Sequence, residues 1–266
     1  MNKRELKKKL SEAKQYRYYA QYAETLAILH QIVAEYPEAV YYYLLAATYL
    51  EAGEKDLAMQ YLDEALNIDT NHKEAYELKA KVYESEKKYN EAEQMYLKAL
   101  EIDPDFFNAR KGLVDLYFKK EKNYEETIQQ CEFVFNRYEL ETFNEYELKI
   151  KYDWFISFKN PLYSAYVYKG RYNDAIRVLN RDKEVIKEYI GKGKDSYTLA
   201  SQDRILYKLY YLLKSESKLN EFRERWKNYY RMSDSYILGL EKDAEQGYIL
   251  NTNRNNYEIA PDGTIL

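Results

Sequence analysis

The sequence predicts an all-α protein built from stacked helical hairpins, and three observations lead to this fold class. Eight glycines and four prolines among 266 residues leave few positions that favour turns, because average usage of the two together is roughly 12%. Hydrophobic residues make up 46% of the chain and charged residues 32%, which is too apolar for a disordered chain and too charged for a membrane bundle. The third observation is a sequence period of 34 residues, seen in Tyr42 and Tyr76, which indicates a repeated structural unit.

The period is clearest in the two units 39–72 and 73–106. Each half of a unit places apolar residues at helical spacing, and a polar break near Gly53 or Lys87 separates the halves. Small residues stand where the two helices of a unit would come closest: Ala46, Ala58, Ala80 and Ala92. Each unit is therefore predicted to be a helical hairpin, which buries its remaining apolar surface by stacking on its neighbours.

Hairpins with more sequence drift are predicted on both sides of these two units. Residues 22–37 form the second helix of the first hairpin, and Ala13 and Tyr16 lie on its first helix. Three further hairpins follow, marked by Tyr117, Tyr124, Thr127, Cys131 and Val134, then Tyr166, Gly170, Tyr172, Ala175 and Leu179, then Leu213, Leu219, Phe222, Trp226 and Tyr229. About six hairpins are thus predicted between residues 6 and 235.

The second half of the chain departs from the regular pattern. Residues 141–155 do not fit the period but are amphipathic, which predicts a longer first helix in the fifth hairpin. Pro161 is expected to end or kink a helix, and Asn160 to cap the next one. Val114, Tyr163 and Tyr210 replace the small residue of the first helix, so the later hairpins are expected to be irregular. We therefore divide the chain into regular hairpins (1–140), degenerate hairpins of the same solenoid (141–240), and a helix end with a tail (241–266).

The last twenty residues have a different character. Gly247 is well placed to stop a helix, and the Pro-Asp-Gly sequence at 261–263 is a turn signal between short apolar segments. Residues 248–266 are thus predicted to be extended or hairpin-like. Their apolar content indicates that they dock on the solenoid, either as a cap on the last hairpin or as an occupant of a binding groove, and we favour the cap.

Catalytic and metal-binding residues are scarce. The only histidines, His30 and His72, lie far from each other and from any pattern with metal-ligand spacing. The single cysteine, Cys131, falls where the repeat places a buried residue. We therefore predict no enzyme activity, no metal and no cofactor.

Charge and hydropathy narrow the classes of partner. The formal charge of −4 gives no support for a nucleic-acid surface. The longest stretch free of charges and helix breakers, residues 39–50, has 12 residues, whereas a membrane span needs about 20. A basic N-terminus that lacks a following apolar segment does not form a secretory signal, and a cytoplasmic location is the expectation. The cluster of Lys7, Lys8 and Lys9 with Lys14 and Arg17 is interpreted as the exposed side of the first helix, with a weak anionic contact as the alternative.

The period and the residues of units 39–72 and 73–106 resemble the tetratricopeptide repeat. This resemblance implies a right-handed superhelix whose first helices line a concave groove that binds proteins or peptides. Carried over by position, the groove would include Lys14, Arg17, Tyr43, Ala47, Leu50, Glu74, Glu77, Lys81, Glu84, Asn108, Lys111, Asp115 and Phe118. Among these, the candidate partner-binding residues are Arg17, Tyr43, Glu77, Lys81, Lys111 and Phe118.

Two functions remain open from the sequence. The first is a non-catalytic scaffold or adaptor that binds a protein segment in the groove or assembles into a larger complex. The second is a regulatory sensor of a short signalling peptide, although the additional N-terminal domain common in that class is not expected here, because the first hairpin begins near Leu6. The Lys and Asn pair with which related co-chaperones clamp a C-terminal carboxylate is missing, since those places hold Leu10 and Lys14, Tyr43 and Ala47, or Glu77 and Lys81. A chaperone tail is therefore not expected as the partner.

Overall fold

The computed structural model describes residues 2–139, 145–189, 196–230 and 232–250, and within these ranges the side chains of 138–156, 182–201 and 229–230 are left aside. All regular structure in these ranges is helical, which confirms the predicted all-α class. The helices are α1 (Lys3–Tyr18), α2 (Tyr22–Glu35), α3 (Ala39–Glu51), α4 (Lys55–Ile68), α5 (Lys73–Ser85), α6 (Tyr89–Ile102), α7 (Phe107–Asp115), α8 (Tyr124–Glu139), α9 (Glu145–Tyr168), α10 (Tyr172–Tyr189), α11 (Ser196–Leu212), α12 (Glu216–Tyr230) and α13 (Asp234–Glu245). A π-helical turn, Leu116–Glu121, continues α7.

Two compact units divide the chain between Lys122 and Asn123. In the first unit, α1 packs on α2, α3 on α4 and α5 on α6, and each hairpin also contacts the next helix along the chain. In the second unit, α8 packs on α9, α9 on α10, α10 on α11, and α11 on both α12 and α13. The boundary assigns the two helices of the predicted fourth hairpin, α7 and α8, to different units. The boundary predicted at residue 140 adjoins residues outside the described ranges.

Small residues set the helix spacing within the regular hairpins, as the sequence predicted. Ala46, Ala58, Ala80 and Ala92 are all fully buried, so the helix backbones approach closely at these positions. The large residues beside them, Leu62 in one hairpin and Tyr96 in the next, are buried as well. The buried thiol predicted for Cys131 is also confirmed.

The first helix of most hairpins ends in the same way, with one residue in the left-handed conformation. At the end of α3 this residue is Gly53, with φ of 90°. The amide of Gly53 donates to the carbonyl of Leu50 at 3.1 Å, and the amide of Glu54 donates to the carbonyl of Tyr49 at 2.9 Å. The same pair of bonds occurs at Ala20, Lys87, Gly170 and Lys214, and it occurs also at Gly247 after the last helix, α13. These bonds satisfy carbonyls that the helix end leaves free, and Gly247 is the helix stop that was predicted.

Helix α9 confirms the longer helix expected in the fifth hairpin, since it has 24 residues. The helix end expected at Pro161 is wrong, because Pro161 lies inside α9, and Asn160 therefore caps no helix. The kink, which was the other expectation for Pro161, stays a prediction. A proline inside a helix removes one backbone hydrogen bond. Packing offsets this loss, because Leu162, Ala165 and Tyr166 after the proline are fully buried.

The described end of the chain packs on α11 within the second unit. Ile249 is buried, and the Lys208 ammonium of α11 donates to the carbonyl of Tyr248 at 2.9 Å. Lys208 also pairs with Asp243 at 3.2 Å, and both side chains are almost fully buried. Residues 251–266, on which most of the predicted tail falls, lie outside the described ranges. None of the helices described is long and apolar enough to cross a membrane.

Candidate functional site

The first helices of the hairpins lie side by side in the first unit. Helix α3 contacts α5, and α5 contacts α7. Arg17 joins α1 to α3, because its Nε and one terminal nitrogen donate to the two carboxylate oxygens of Glu51 at 2.8 and 2.6 Å. We call the surface formed by Arg17, Tyr43, Glu77, Lys81 and Lys111 the first-helix face.

Tyr43 interacts electrostatically with two other predicted site residues, Arg17 and Glu77. Tyr43 of α3 is half-buried, and its ring lies against the ring of His72 with 5.1 Å between centroids. Burial raises the pKa of Tyr43, the charge of Glu77 raises it further, and the charge of Arg17 opposes the rise. The Tyr43 hydroxyl therefore lies in the electrostatic field of both Arg17 and Glu77.

Glu77 and Lys81 form an ion pair one turn apart on α5. The Lys81 ammonium lies 2.5 Å from a carboxylate oxygen of Glu77. The Glu77 side chain is 5% exposed and the Lys81 side chain 52% exposed. Lys81 is thus accessible to a partner, while Glu77 lies beneath it and balances its charge.

A second charged cluster lies at the end of α7. The ammonium groups of Lys111 and Lys119 lie 2.5 and 2.8 Å from the two carboxylate oxygens of Asp115. Burial opposes ionisation of Asp115, but hydrogen bonds from the two lysines outweigh burial and lower the pKa of this carboxyl. The Lys111 side chain is half-exposed, and its ammonium is already paired with a carboxylate of the same helix.

Two residues predicted for the groove, Ala47 and Phe118, do not lie on the exposed side of a regular α-helix. Ala47 is 5% exposed and belongs to the core between the second and third hairpins, so it offers no contact surface. Phe118 is half-buried on the π-helical turn. A π-helical turn changes the angular spacing of the residues that follow it, so a count at α-helical spacing does not give the direction of Phe118. Its place in the binding surface stays a prediction.

A cavity beside the first-helix face was not predicted from the sequence. It has a volume of about 410 Å³ and lies among α1, α2 and α3. Its walls are formed by Leu10, Ala13, Lys14, Arg17, Thr25, Leu29, Leu44 and Thr48. Both threonine hydroxyls donate to backbone carbonyls, that of Thr25 to Gln21 and that of Thr48 to Leu44, each at 2.8 Å. The walls are therefore mainly apolar, with the two cations as the charged groups among the residues that line it.

Metal-binding groups are not brought together in the part of the chain that the structure describes. No three of its His, Cys, Asp and Glu side chains form a group that could hold a metal ion. His30 bonds to the Tyr49 hydroxyl at 2.9 Å, and His72 contacts Glu74 at 3.2 Å.

Comparison with known proteins agrees with this architecture. Two family models match the chain, both described as tetratricopeptide repeat, one over residues 74–106 and the other over residues 19–82. No curated protein sequence is significantly similar to the chain. Residues 19–106, which contain helices α2 to α6, therefore match the tetratricopeptide repeat.

Solved structures share the fold at low sequence identity. A Pseudomonas aeruginosa pilF structure is 15% identical with a TM-score of 0.53, covering 89% of this chain and 97% of its own. The structure of YrrB, described as a TPR protein with an unusual peptide-binding site, is 16% identical with a TM-score of 0.51, covering 83% of this chain and 95% of its own. A chain of the Naa15/Naa10 complex bound to HypK-THB is 15% identical with a TM-score of 0.58, covering 92% of this chain but 34% of its own. At these identities the similarity establishes the fold.

Proposed function

We propose that this protein is a non-catalytic scaffold or adaptor that binds a protein segment along the first-helix face. The observation that supports the proposal is the side-by-side placement of the first helices, in which Arg17 of α1 binds Glu51 of α3, α3 contacts α5, and α5 contacts α7. A surface that spans three hairpins suits an extended segment of a partner better than a small molecule. Assembly into a larger complex through the same face is part of the proposal.

The chemistry of the face supports contacts by rings and aliphatic stems. From α3 to α7 its charges are paired within the protein, Lys81 with Glu77 and Lys111 with Asp115. A partner therefore gains little from simple charge attraction there. Tyr43 offers a large ring at the centre of the face, and aromatic residues in central positions contribute much of the binding energy in protein interfaces. We propose that Tyr43 and Phe118 are the main anchors, with Lys81 and Lys111 as polar contacts.

The experiment combines affinity capture with a paired set of variants. Partners are captured from the native cell and identified by mass spectrometry, and the main partner is then purified and titrated against each variant. We expect Tyr43→Ala with Phe118→Ala to weaken binding by about tenfold or more. The matched control, Leu57→Ala with Leu97→Ala, removes exposed side chains of the second helices α4 and α6 and should leave binding unchanged.

Two outcomes would refute the proposal. Equal binding by the Tyr43 and Phe118 variant and by the parent would move the site away from the first-helix face. Weakening by the Leu57 and Leu97 variant alone would place the site on the second helices. Circular dichroism of each variant shows whether the helices persist, so that loss of binding is separated from unfolding.

Two further parts of the proposal rest on composition. A cytoplasmic setting is supported by a single cysteine, which is buried and forms no disulfide. The absence of enzyme activity is supported by the scarcity of histidine and cysteine, which supply most nucleophiles and proton carriers in active sites. Neither part affects the test of the binding face.

A further inference from the structure

Helix α1 carries a line of cations, most of which have no ion-pair partner in the part of the chain that the structure describes. Lys3, Lys7, Leu10, Lys14 and Arg17 follow one another at alternating steps of four and three residues, which places them in one stripe along a helix. We call these five residues the α1 stripe. Three of its cations, Lys3, Lys7 and Lys14, are exposed and form no ion pair with any residue in the described ranges.

The fourth cation of the α1 stripe differs from the other three. Arg17 donates two hydrogen bonds to the carboxylate of Glu51, one from Nε and one from a terminal nitrogen. The hydrogen bond to Glu51 raises the pKa of Arg17 against the effect of burial. Arg17 is therefore neutralised within the protein, and the unbalanced positive charge lies on the three lysines.

Three residues of the α1 stripe line the cavity described above. Leu10, Lys14 and Arg17 belong both to the stripe and to the cavity wall. The volume of about 410 Å³ lies within the range of roughly 300 to 1,000 Å³ typical of ligand pockets. The Thr25 and Thr48 hydroxyls already donate to backbone carbonyls. The interior of the cavity therefore suits an apolar group. An apolar cavity whose wall includes Lys14, which has no ion pair in the described ranges, suits a ligand that is both apolar and anionic.

We infer that the α1 stripe and its cavity bind an acidic protein segment that inserts one bulky apolar side chain. This inference rests on the proposed function and specifies the chemistry of the partner. The apolar side chain enters the cavity between α1 and α3, and a carboxylate next to it pairs with Lys14. Further carboxylates pair with Lys7 and Lys3 as the segment follows α1.

The helix rise sets the spacing of these acidic residues. Lys7 and Lys14 are seven residues apart, or about 10 Å along the helix axis at roughly 1.5 Å per residue. An extended segment covers that distance in about three residues at roughly 3.3 Å each. The expected partner therefore has acidic residues about three positions apart, with a leucine, isoleucine or phenylalanine near one of them.

A protein segment fits this surface better than a lipid membrane does. A helix that binds a membrane surface exposes an apolar face to the lipid. The apolar residues of α1, Leu6, Leu10 and Ala13, instead pack in the core of the first hairpin. A cavity that receives a single side chain also matches a peptide anchor rather than a lipid surface.

Fluorescence anisotropy of a labelled probe peptide tests the inference. The probe is a short peptide, blocked at both ends, in which aspartate and glutamate surround one leucine. A second probe has that leucine replaced by alanine, and a third has its acids replaced by asparagine and glutamine. We expect the first probe to bind, each of the other two to bind about tenfold more weakly or worse, and binding of the first to weaken as salt is raised.

Protein variants separate the charge from the cavity. Lys7→Glu with Lys14→Glu reverses two charges of the α1 stripe and should abolish binding of the first probe. Arg4→Glu with Lys8→Glu makes the same change in net charge on the other side of the same helix and should preserve most of the binding. Leu44→Trp narrows the cavity and should weaken the leucine probe more than the alanine probe.

Specific outcomes would overturn the inference. Equal loss in both charge-reversal variants would show attraction by net charge without a site. Equal affinity of the leucine and alanine probes would show that the cavity does not bind the leucine side chain. Binding of phosphatidylserine vesicles that depends on Lys7 and Lys14, without binding of the probe, would make the stripe a membrane contact. If the probe fails while the cellular partner still requires Tyr43 and Phe118, the inference fails and the proposed function stands.

Discussion

Gly112 of α7 makes room for the ring of Tyr96 from α6. A Cβ atom on Gly112 would lie 2.3 Å from Cζ of Tyr96 and 2.7 Å from its hydroxyl oxygen. Tyr96 is 1% exposed, and its hydroxyl donates to Glu84 at 2.7 Å. One hairpin earlier, the residues at the equivalent repeat positions are Leu62 and Leu78, in one core cluster. Two medium side chains at one hairpin junction are thus replaced by a large and a minimal one at the next.

Replacing Gly112 with alanine should therefore destabilise the protein. The added methyl group forces the buried Tyr96 ring to move, and overpacking of this kind costs about 1 to 3 kcal/mol. Alanine in a helix without such a contact would instead stabilise it, by about 0.5 to 1 kcal/mol relative to glycine. Urea unfolding of Gly112→Ala shows directly whether the free energy of unfolding falls or rises. In the Tyr96→Leu background the same change should cost much less, and an equal cost in both backgrounds would show that the ring is not the obstacle.

Glycine should be the more stable residue at both left-handed positions that follow α3 and α5. Lys87 at the end of α5 has φ of 63°, whereas Gly53 occupies the same place after α3. Side chains disfavour this conformation by about 1 kcal/mol. We expect Gly53→Ala to lower the melting temperature and Lys87→Gly to raise it. A lower melting temperature for Lys87→Gly would mean that the Lys87 side chain contributes more than its backbone strain costs.

Stability should fall at alkaline pH because of buried tyrosines. Burial, followed by hydrogen bonds to Glu84, Glu132 and Glu241, raises the pKa of Tyr96, Tyr166 and Tyr207 above the ordinary value of 10.0. Above about pH 10 the unfolded chain releases tyrosine protons that the folded protein retains, so stability decreases as pH rises. Urea unfolding at about pH 8 and about pH 11 measures this decrease.

The contribution of one tyrosine can be isolated with a conservative variant. Tyr96→Phe should lose less stability between the two pH values than the parent does, because its proton no longer enters the balance. Tyr18→Phe is the control, since Tyr18 is 83% exposed. An identical loss of stability in the parent and in Tyr96→Phe would contradict the role given to burial.

Lys81 should have a structural role that any binding assay must separate. Removing its ammonium leaves the Glu77 carboxylate, which is 4% exposed, without its counter-charge. We expect Lys81→Gln to destabilise the protein by about 1 kcal/mol, and Glu77→Gln with Lys81→Gln to recover most of the loss. Thermal melts measure both values, and additive costs would show that the two side chains act independently. The double variant then tests the contribution of the Glu77 and Lys81 pair to binding without the loss of stability.

The repeat pattern predicts the hairpins well because small residues at fixed positions directly determine helix spacing, as at Ala46 and Ala80. It fails where packing between helices overrides a local preference. Pro161 remains inside α9 because the residues after it are buried. The small residue that accommodates Tyr96 is Gly112, while the position at which the repeat expects a small side chain holds the buried Val114.

The candidate site is predictable to a similar extent. Counting positions places Arg17, Tyr43, Glu77 and Lys81 on neighbouring first helices, and the structure joins α1 to α3 and places α3 against α5. Counting cannot show that Glu77 is buried beneath Lys81, since burial depends on helices α4 and α6 as well. It also cannot find the cavity at Leu10 and Leu44, because that volume is left by three helices whose side chains do not fill it.

Photocrosslinking in the native cell tests the central claim most directly. A photoreactive phenylalanine derivative is placed at Tyr43 on the first-helix face and, in a matched variant, at Leu97 on α6, which is 40% exposed. We expect position 43 to give a discrete crosslinked product whose partner peptide is identified by mass spectrometry, and position 97 to give none with that partner. Crosslinking of the same partner from position 97 but not from position 43 would contradict the claim that the first-helix face binds it.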